Sequence, residues 1–212
     1  CLSKATVDEN GKRKIKDGKD NEFRCFSASQ EVQYTNVYNS RKHNYDMLKQ
    51  SDNMDLLLMD SLPKNAGIVR IHVAGDFFNP EYMSAWWTVA YLNPKVLFYA
   101  YTKSLRYWLQ TVTEMPILDN FVLTASYGGR DDHLIDDPTF NFRSVKVVFS
   151  EAEAEKLGLE IDHDDSHAAR PSMRDKDFAL LIHGTQPKGS EAATALKELK
   201  GKGSYSRKKA GV

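Results

Sequence analysis

Residues 68–80 read IVRIHVAGDFFNP, a strand-like run that leads through a turn into a helix start. The run from Ile68 to Val73 is β-branched and apolar enough for a buried strand. Gly75 and Asp76 follow it, and Asn79-Pro80 supplies a good N-cap and first helical position. A buried strand that passes through a short turn into a capped helix is the start of a βα unit.

Four more strand-like runs start near residues 96, 121, 145 and 178, at intervals of about 24 to 33 residues. Helical patterns lie between them, including one that opens with a capping box at Ser150 and Glu153 and ends near Gly158. Apolar strands at this spacing predict a parallel sheet covered by helices. Neither GxGxxG nor GxxxxGK[ST] follows any strand, so we expect an α/β fold of the incomplete parallel (β/α) barrel type.

A chain of 212 residues has room for one such domain. Within it we expect a basic loop at 1–24, a helical segment at 36–62, repeated βα units at 68–200 and a flexible basic tail at 201–212. Hydrophobic residues make up 41% of the chain, which is enough for a packed core and excludes wholesale disorder.

The charges balance, with 29 basic and 29 acidic residues. No global field therefore recruits nucleic acid or an anionic membrane. No apolar run approaches the ~18 residues of a membrane-spanning helix, and no secretory signal opens the chain. These features predict a soluble, cytoplasmic protein that does not contact a membrane.

Ligand sites in parallel α/β folds lie at the carboxyl ends of the strands. The polar residues expected there are Asp76, Thr102, Lys103, Ser126, Arg130, Ser150, His163 and His183. Asp76 and Lys103 are the candidate catalytic residues, although Asp76 also suits a turn and Lys103 could pair with a nearby carboxylate.

A cluster of histidines and acidic residues at 163–167, His-Asp-Asp-Ser-His, offers an alternative site. His163, Asp165 and His167 could hold a divalent metal ion for hydrolysis. The cluster does not match HExxH, so a hydrated acidic loop with paired histidines also explains it. A metal-dependent hydrolase that uses these residues is therefore the second hypothesis for the function.

The carboxyl-terminal segment is basic and contains one aromatic residue. Its basic residues are Lys197, Lys200, Lys202, Arg207, Lys208 and Lys209, with Tyr205 among them. Such a segment could bind the backbone of a nucleic acid, and a solvated terminus is the other interpretation. A non-catalytic nucleic-acid-binding protein is therefore the third hypothesis.

Two stretches give the chain a family resemblance. Residues 70–78, with Tyr82, Trp86 and residues 98–103, resemble the phage gene product 88 family. Cys25-Phe-Ser-Ala28 resembles it as well, with Val37, Arg41 and Asn44 following at the family's spacing. These proteins are similar to phage gene product 37/68 proteins, and both look like relatives of the radical SAM barrels, whose cysteine loop holds a [4Fe–4S] cluster.

The resemblance implies specific roles. Cys1 and Cys25 match the second and third cysteines of the family and would be metal ligands. Gly75 falls at the turn that receives the methionine part of S-adenosylmethionine, and Ser126 is a further cofactor-binding candidate. The first cysteine and first strand would precede residue 1, so we expect the chain, which begins with cysteine, to be truncated at its amino end. The resemblance implies no particular substrate.

Overall fold

The computed structural model describes residues 2–19 and 21–203. Its first elements are an antiparallel hairpin, β1 (Lys4–Val7) and β2 (Arg13–Lys16), within the segment expected to be a basic loop. Three helices follow, namely α1 (Phe26–Gln33), α2 (Thr35–Gln50) and α3 (Met54–Ser61). Helices α2 and α3 occupy the segment expected to be helical at 36–62, whereas α1 was not predicted.

A six-stranded parallel sheet and the helices around it form the rest of the described structure. Its strands are β3 (Ile68–Ile71), β4 (Leu97–Thr102), β5 (Phe121–Ser126), β6 (Ser144–Val148), β7 (Glu160–Ile161) and β8 (Phe178–Leu181). The helices that connect or follow these strands are α4 (Pro80–Leu92), α5 (Leu105–Val112), α6 (Glu151–Leu157), α7 (Ser166–Ala169) and α8 (Glu191–Glu198). The strand order is β3-β4-β5-β6-β8-β7, and every neighbouring pair is parallel.

The predicted α/β class is confirmed by this sheet. Among the described residues, β3 and β7 are the outer strands and each pairs with one strand, so the sheet is open. The first four strands lie side by side in chain order, which is the arrangement of successive βα units wound in one direction. The finer expectation of a radical-SAM-like barrel remains a proposal.

Side chains alternate between the two faces of the sheet, and the register shows which residues share a face. Ala100 pairs with Leu123, and both lie in a core cluster with Trp86 and Trp87 of α4. Further along the same face, Val148, Ala179 and Leu181 pack with Ala154 of α6 and with Ala192 and Ala195 of α8. Helices α4, α6 and α8 therefore cover one face.

The opposite face is covered by α7. Tyr99, Val145 and Phe178 form a buried cluster there with Ala168 of that helix. Helix α7 has only four residues, and no sequence pattern predicted it. Helix α7 lies against β4 and β5 on this face.

The predicted helix caps are confirmed. Asn79 Oδ1 accepts a hydrogen bond from the N–H of Tyr82 at 2.8 Å. Ser150 Oγ accepts from the N–H of Glu153 at 3.1 Å, and Gly158 ends α6 with φ +68°. These caps fix the starts of α4 and α6, the helices that follow β3 and β6. Because the strands are parallel, the loops after them lie at one edge of the sheet.

Candidate functional site

A cavity of about 270 Å³ lies at the carboxyl edge of the sheet. Five residues given a catalytic, cofactor-binding or metal-binding role from the sequence line it, namely Cys25, Gly75, Asp76, Lys103 and Ser126. We call this cavity the Cys25 chamber. The functional roles of the five residues remain predictions, but their side chains and backbone surround one space.

Cys25 is held in the chamber by hydrogen bonds to its own backbone and to that of the residue before it. It is the N-cap residue of α1, and its N–H donates to Ser3 Oγ at 3.3 Å. The buried side chain of Gln186 accepts from the N–H of Arg24 at 2.8 Å and donates to the Arg24 carbonyl at 3.1 Å. Cys1, the other predicted metal ligand, lies outside the described residues.

The residue after Cys25 packs against the loop that follows β8. The Phe26 ring lies 5.5 Å from the His183 ring, centroid to centroid. Gly184 has φ +75°, and a Cβ atom placed on it would lie 2.7 Å from the Phe26 Cβ atom. Only glycine therefore permits this close approach between the start of α1 and the end of the sheet.

Asp76 joins the loop after β3 to the end of β4. Its Oδ1 accepts from Thr102 Oγ1 at 2.6 Å and from the N–H of Phe77 at 2.8 Å. Its Oδ2 accepts from the N–H of Lys103 at 2.7 Å. Both carboxylate oxygens are thus engaged in holding the loop, which gives Asp76 the geometry of a positioning residue.

Lys103 supplies a buried positive charge to the wall of the chamber. Its Nζ donates to Ser126 Oγ at 3.0 Å, to the Ser126 carbonyl at 3.1 Å and to the Tyr127 carbonyl. Burial lowers the pKa of Lys103, and the negative charges of Asp132, Asp76 and Cys25 oppose this change. Three acceptors match the three N–H groups of an ammonium, so this geometry suits a fixed cation.

Two histidines line the same chamber. Burial lowers the pKa of His183, with the charge of Arg70 acting in the same direction. Burial lowers the pKa of His72 to about 4, although the nearby Asp76 carboxylate opposes this. His72 also has φ +65°, a left-handed conformation that is uncommon for residues other than glycine.

The state of His72 gives a testable pH dependence. In the unfolded chain this histidine takes up a proton below about pH 6.5, whereas in the folded protein it does so only near pH 4. The stability that the neutral histidine contributes is therefore present above pH 6.5 and is lost as the pH falls. We expect His72 to account for about 2 kcal/mol of lost unfolding free energy between pH 8 and pH 5. Urea denaturation of His72→Gln should lack this loss, whereas His43→Gln, on the exposed side of α2, should retain it. Equal pH slopes for wild type and His72→Gln would contradict the assignment.

Below the chamber, Asp165 joins α7 to the sheet. Its carboxylate accepts from Arg70 Nη1 at 2.7 Å, Tyr99 Oη at 2.9 Å and Tyr101 Oη at 2.8 Å. Burial and the Asp165 charge together raise the pKa of Tyr99 above its usual range. Arg70 and Tyr101 also line the chamber, so this network forms its floor.

The structure does not assemble the alternative site at His163, Asp165 and His167. His163 is exposed, and the Asp165 carboxylate lies among Arg70 and the two tyrosines. His167 is buried, with Nε2 2.9 Å from Glu160 Oε2. Across residues 2–19 and 21–203, no three His, Cys, Asp or Glu side chains are grouped so that they could hold a metal ion.

Other residues predicted from the sequence, where the structure describes them, do not line the Cys25 chamber. Arg130 is exposed, and Ser150 serves as the cap of α6. Lys197, Lys200 and Lys202 of the basic tail are exposed, whereas Tyr205, Arg207, Lys208 and Lys209 lie outside the described residues. Thr102 acts on the site through its hydrogen bond to Asp76.

Comparison with known proteins identifies the family. The family model described as gene product 88 matches residues 7–200. The chain belongs to the gene product 88 family. The Gene 88 protein of Mycobacterium phage L5 is 30% identical to this gene product 88 protein over an alignment 151 residues long. The match covers 62% of this chain and 60% of the relative. This family member therefore spans less than two thirds of the curated relative's length. No solved structure matches it significantly.

The helices are too short or too polar to span a membrane, as far as the structure describes them. Within residues 2–19 and 21–203 of this gene product 88 protein, none combines the length and the apolar character that crossing a bilayer requires.

Proposed function

We propose that the Cys25 chamber is the functional centre of a radical-SAM-like iron–sulfur protein, with Cys25 as one thiolate ligand of the cluster. The observation that carries the proposal is the position of this thiol. Cys25 begins α1 over the carboxyl edge of a parallel sheet and lines the same cavity as Gly75 and Lys103. Thiolates are the usual ligands of iron–sulfur clusters, and a cluster that acts on a substrate needs a cavity that the substrate can enter.

The anchoring of the Cys25 loop supports the proposal. Gln186 holds both backbone groups of Arg24, and Ser3 holds the N–H of Cys25. The side chains of Gln186 and Ser3 are both buried. A metal-binding thiolate needs such fixed supports, because its orientation decides whether several ligands can meet one cluster.

The residues of this chain do not complete a cluster site. A [4Fe–4S] cluster takes about three or four thiolates, whereas the sequence contains two cysteines. Cys25 is the free cysteine of the described part of the chain. A cluster held here would need at least one thiolate that these 212 residues do not contain, and no chemical step is derived through it.

The chain's own residues give the chamber defined properties. Lys103 contributes a fixed positive charge beside Cys25, and this charge suits an anionic group in the chamber. Asp76 holds the turn at Gly75 against the end of β4. S-adenosylmethionine belongs to the same proposal, with Gly75 and Ser126 as its candidate contacts and with Asp76 and Lys103 as the groups that hold the surrounding loops in position.

Anaerobic reconstitution tests the cluster proposal. The gene product should be expressed from its own coding sequence, with any residues encoded before Cys1, and treated with iron and sulfide. We expect a brown protein with stoichiometric iron, and complete loss of the colour in Cys25→Ser. The 212 residues alone should bind iron weakly, because they supply too few thiolates.

Circular dichroism provides the control for this experiment, because Cys25→Ser should fold like the wild type. A colourless wild-type gene product would refute the iron–sulfur proposal, and so would a brown Cys25→Ser variant. In either case, the remaining conclusion would be a gene product 88 protein with a thiol-lined cavity.

A further inference from the structure

A second cavity of about 800 Å³ lies between α2, α3 and α4. We call it the Trp86 groove, after the residue on its floor. It shares residues 72–76 with the Cys25 chamber, so the loop after β3 is a wall of both cavities. The groove is outside the function proposed above, although His72, Tyr82 and Trp86 belong to the stretch that gives the chain its family resemblance.

Two residues that line this groove carry buried polar atoms without a hydrogen-bond partner. Trp86 is only 8% exposed, and its Nε1 has no hydrogen-bond partner among the described residues. His72 Nδ1 is likewise buried without a partner, while His72 Nε2 lies 3.0 Å from Tyr82 Oη. Burying an N–H group without an acceptor is unfavourable, so such a group calls for an explanation.

Tyr82 does not satisfy the indole. Burial raises the pKa of Tyr82, and the Trp86 N–H acts in the opposite direction, which places the indole N–H near the phenol oxygen. No hydrogen bond of acceptable geometry joins them, and Trp86 Nε1 remains unpartnered. An indole N–H can only donate, so whatever satisfies it must present an acceptor atom.

The walls of the groove are aromatic. Phe78 stacks on Tyr82 with a centroid distance of 4.6 Å and an interplanar angle of 14°. Tyr45 of α2 meets Phe78 edge-on at 5.2 Å. Tyr38 and Tyr45 both line the groove from α2, a helix with no fully buried residue. Such surfaces favour a planar ring, because rings stack or meet edge to face.

The charges in the groove are already paired. Arg41 Nη1 lies 3.2 Å from Glu31 Oε1, and Lys42 forms an ion pair with Asp46. These four residues all line the groove. The further carboxylate of the lining, Asp76, has both oxygens engaged in the hydrogen bonds described above. Each of these five charged side chains therefore already has a partner, which favours an uncharged ligand.

We propose that the Trp86 groove binds an uncharged planar heteroaromatic ring with an acceptor atom, the chemistry of a nucleobase. Trp86 Nε1 donates to the acceptor, the ring lies against Tyr45 and Phe78, and His72 Nδ1 gives a second polar contact. The volume of the groove is in the range of small-molecule sites, about 300–1,000 Å³.

Ligand-observed NMR with two bicyclic probes tests the proposal on the wild-type chain. Benzimidazole carries an acceptor nitrogen, whereas indole has the same shape and offers only a donor. We expect benzimidazole and adenosine to bind and indole to bind at least tenfold more weakly. Equal binding of benzimidazole and indole, or failure of adenosine to bind, would overturn the proposal.

Two tryptophan variants give a matched comparison. Trp86→Phe removes the unpartnered N–H and should weaken benzimidazole binding about tenfold. Trp87→Phe removes the same volume from the adjacent position, but Trp87 Nε1 donates to the Pro116 carbonyl at 2.7 Å and Trp87 does not line the groove. Trp87→Phe should therefore lower the melting temperature more than Trp86→Phe does and leave the affinity unchanged. Unaltered affinity in Trp86→Phe would refute the proposal. If that variant does not fold, the preference of the wild-type protein for benzimidazole over indole decides whether the proposal holds.

Discussion

Replacing Asp165 by alanine should unfold the protein more readily than any other single change at the floor of the chamber. The substitution removes the acceptor of Arg70, Tyr99 and Tyr101 at once. The Asp165 side chain is 10% exposed and that of Arg70 is 25% exposed, so water only partly replaces the lost bonds. Breaking a buried ion pair by removing one partner typically costs 3–5 kcal/mol, and we expect a loss of about 4 kcal/mol.

The conservative variant Asp165→Asn separates the effect of the negative charge from the effect of the side-chain shape. Asp165 has φ +65°, a conformation that asparagine tolerates better than alanine. Asp165→Asn keeps an acceptor oxygen for the tyrosines and loses the charge that faces Arg70, so it should cost about half as much. Urea denaturation measures both variants, with Asp175→Ala at an exposed position as the control. A loss below about 1 kcal/mol for Asp165→Ala would show that the network does not hold α7.

The fate of the cluster at 163–167 explains why this network was not predicted. Its composition suggests metal binding, but in the fold Asp165 points to β3 and β4 through partners more than 60 positions away. Tyr99 and Tyr101 are consecutive inward positions of β4, so a carboxylate above that face meets both hydroxyls. Nothing in the local sequence at 165 indicates which strand it will meet.

The strand-end residues were easier to predict. Asp76 and Lys103 follow β3 and β4, and Ser126 is the last residue of β5. These three strands are neighbours in the sheet. Because parallel strands end at one edge, a correct assignment of these strands brings the three residues together. The position of Cys25 came from the family resemblance, since no periodic apolar pattern marks α1 and that helix was missed.

The supports of the Cys25 loop could not be predicted from local patterns. Gln186 contacts Arg24 across 162 positions, and Ser29 Oγ donates to the Thr185 carbonyl across 156. A glutamine in a loop usually faces water, and only tertiary packing buries this one. The Trp86 groove was missed for the same reason, because Tyr45 on α2 and Phe78 before α4 meet only in the folded protein.

Gly184→Ala should have the second-largest effect, because it drives a Cβ atom into the start of α1. The new Cβ would lie 2.7 Å from the Phe26 Cβ and 3.2 Å from its Cα, so backbone must shift. The substitution also places alanine at φ +75°. A left-handed alanine costs roughly 1–2 kcal/mol and overpacking a further 1–3, so we expect a total of about 3 kcal/mol.

Gly189→Ala isolates the contact from the backbone strain. Gly189 has φ +83°, close to that of Gly184, but nothing lies within 4 Å of its added Cβ. It should therefore cost only the strain, about 1 kcal/mol. The difference between the two variants in urea denaturation measures the packing of Gly184 against Phe26.

The same pair of variants tests whether this packing orients the thiol. Displacing Phe26 moves the neighbouring Cys25, so Gly184→Ala should change the rate at which iodoacetamide alkylates Cys25, whereas Gly189→Ala should react at the wild-type rate. Trypsin cleavage after Arg24 and Arg41 releases the peptide 25–41, which allows mass spectrometry to follow Cys25 separately from Cys1. Equal stability losses and equal alkylation rates in the two variants would mean that the packing of Gly184 against Phe26 does not hold Cys25 in place, and that Ser3 and Gln186 suffice to orient it.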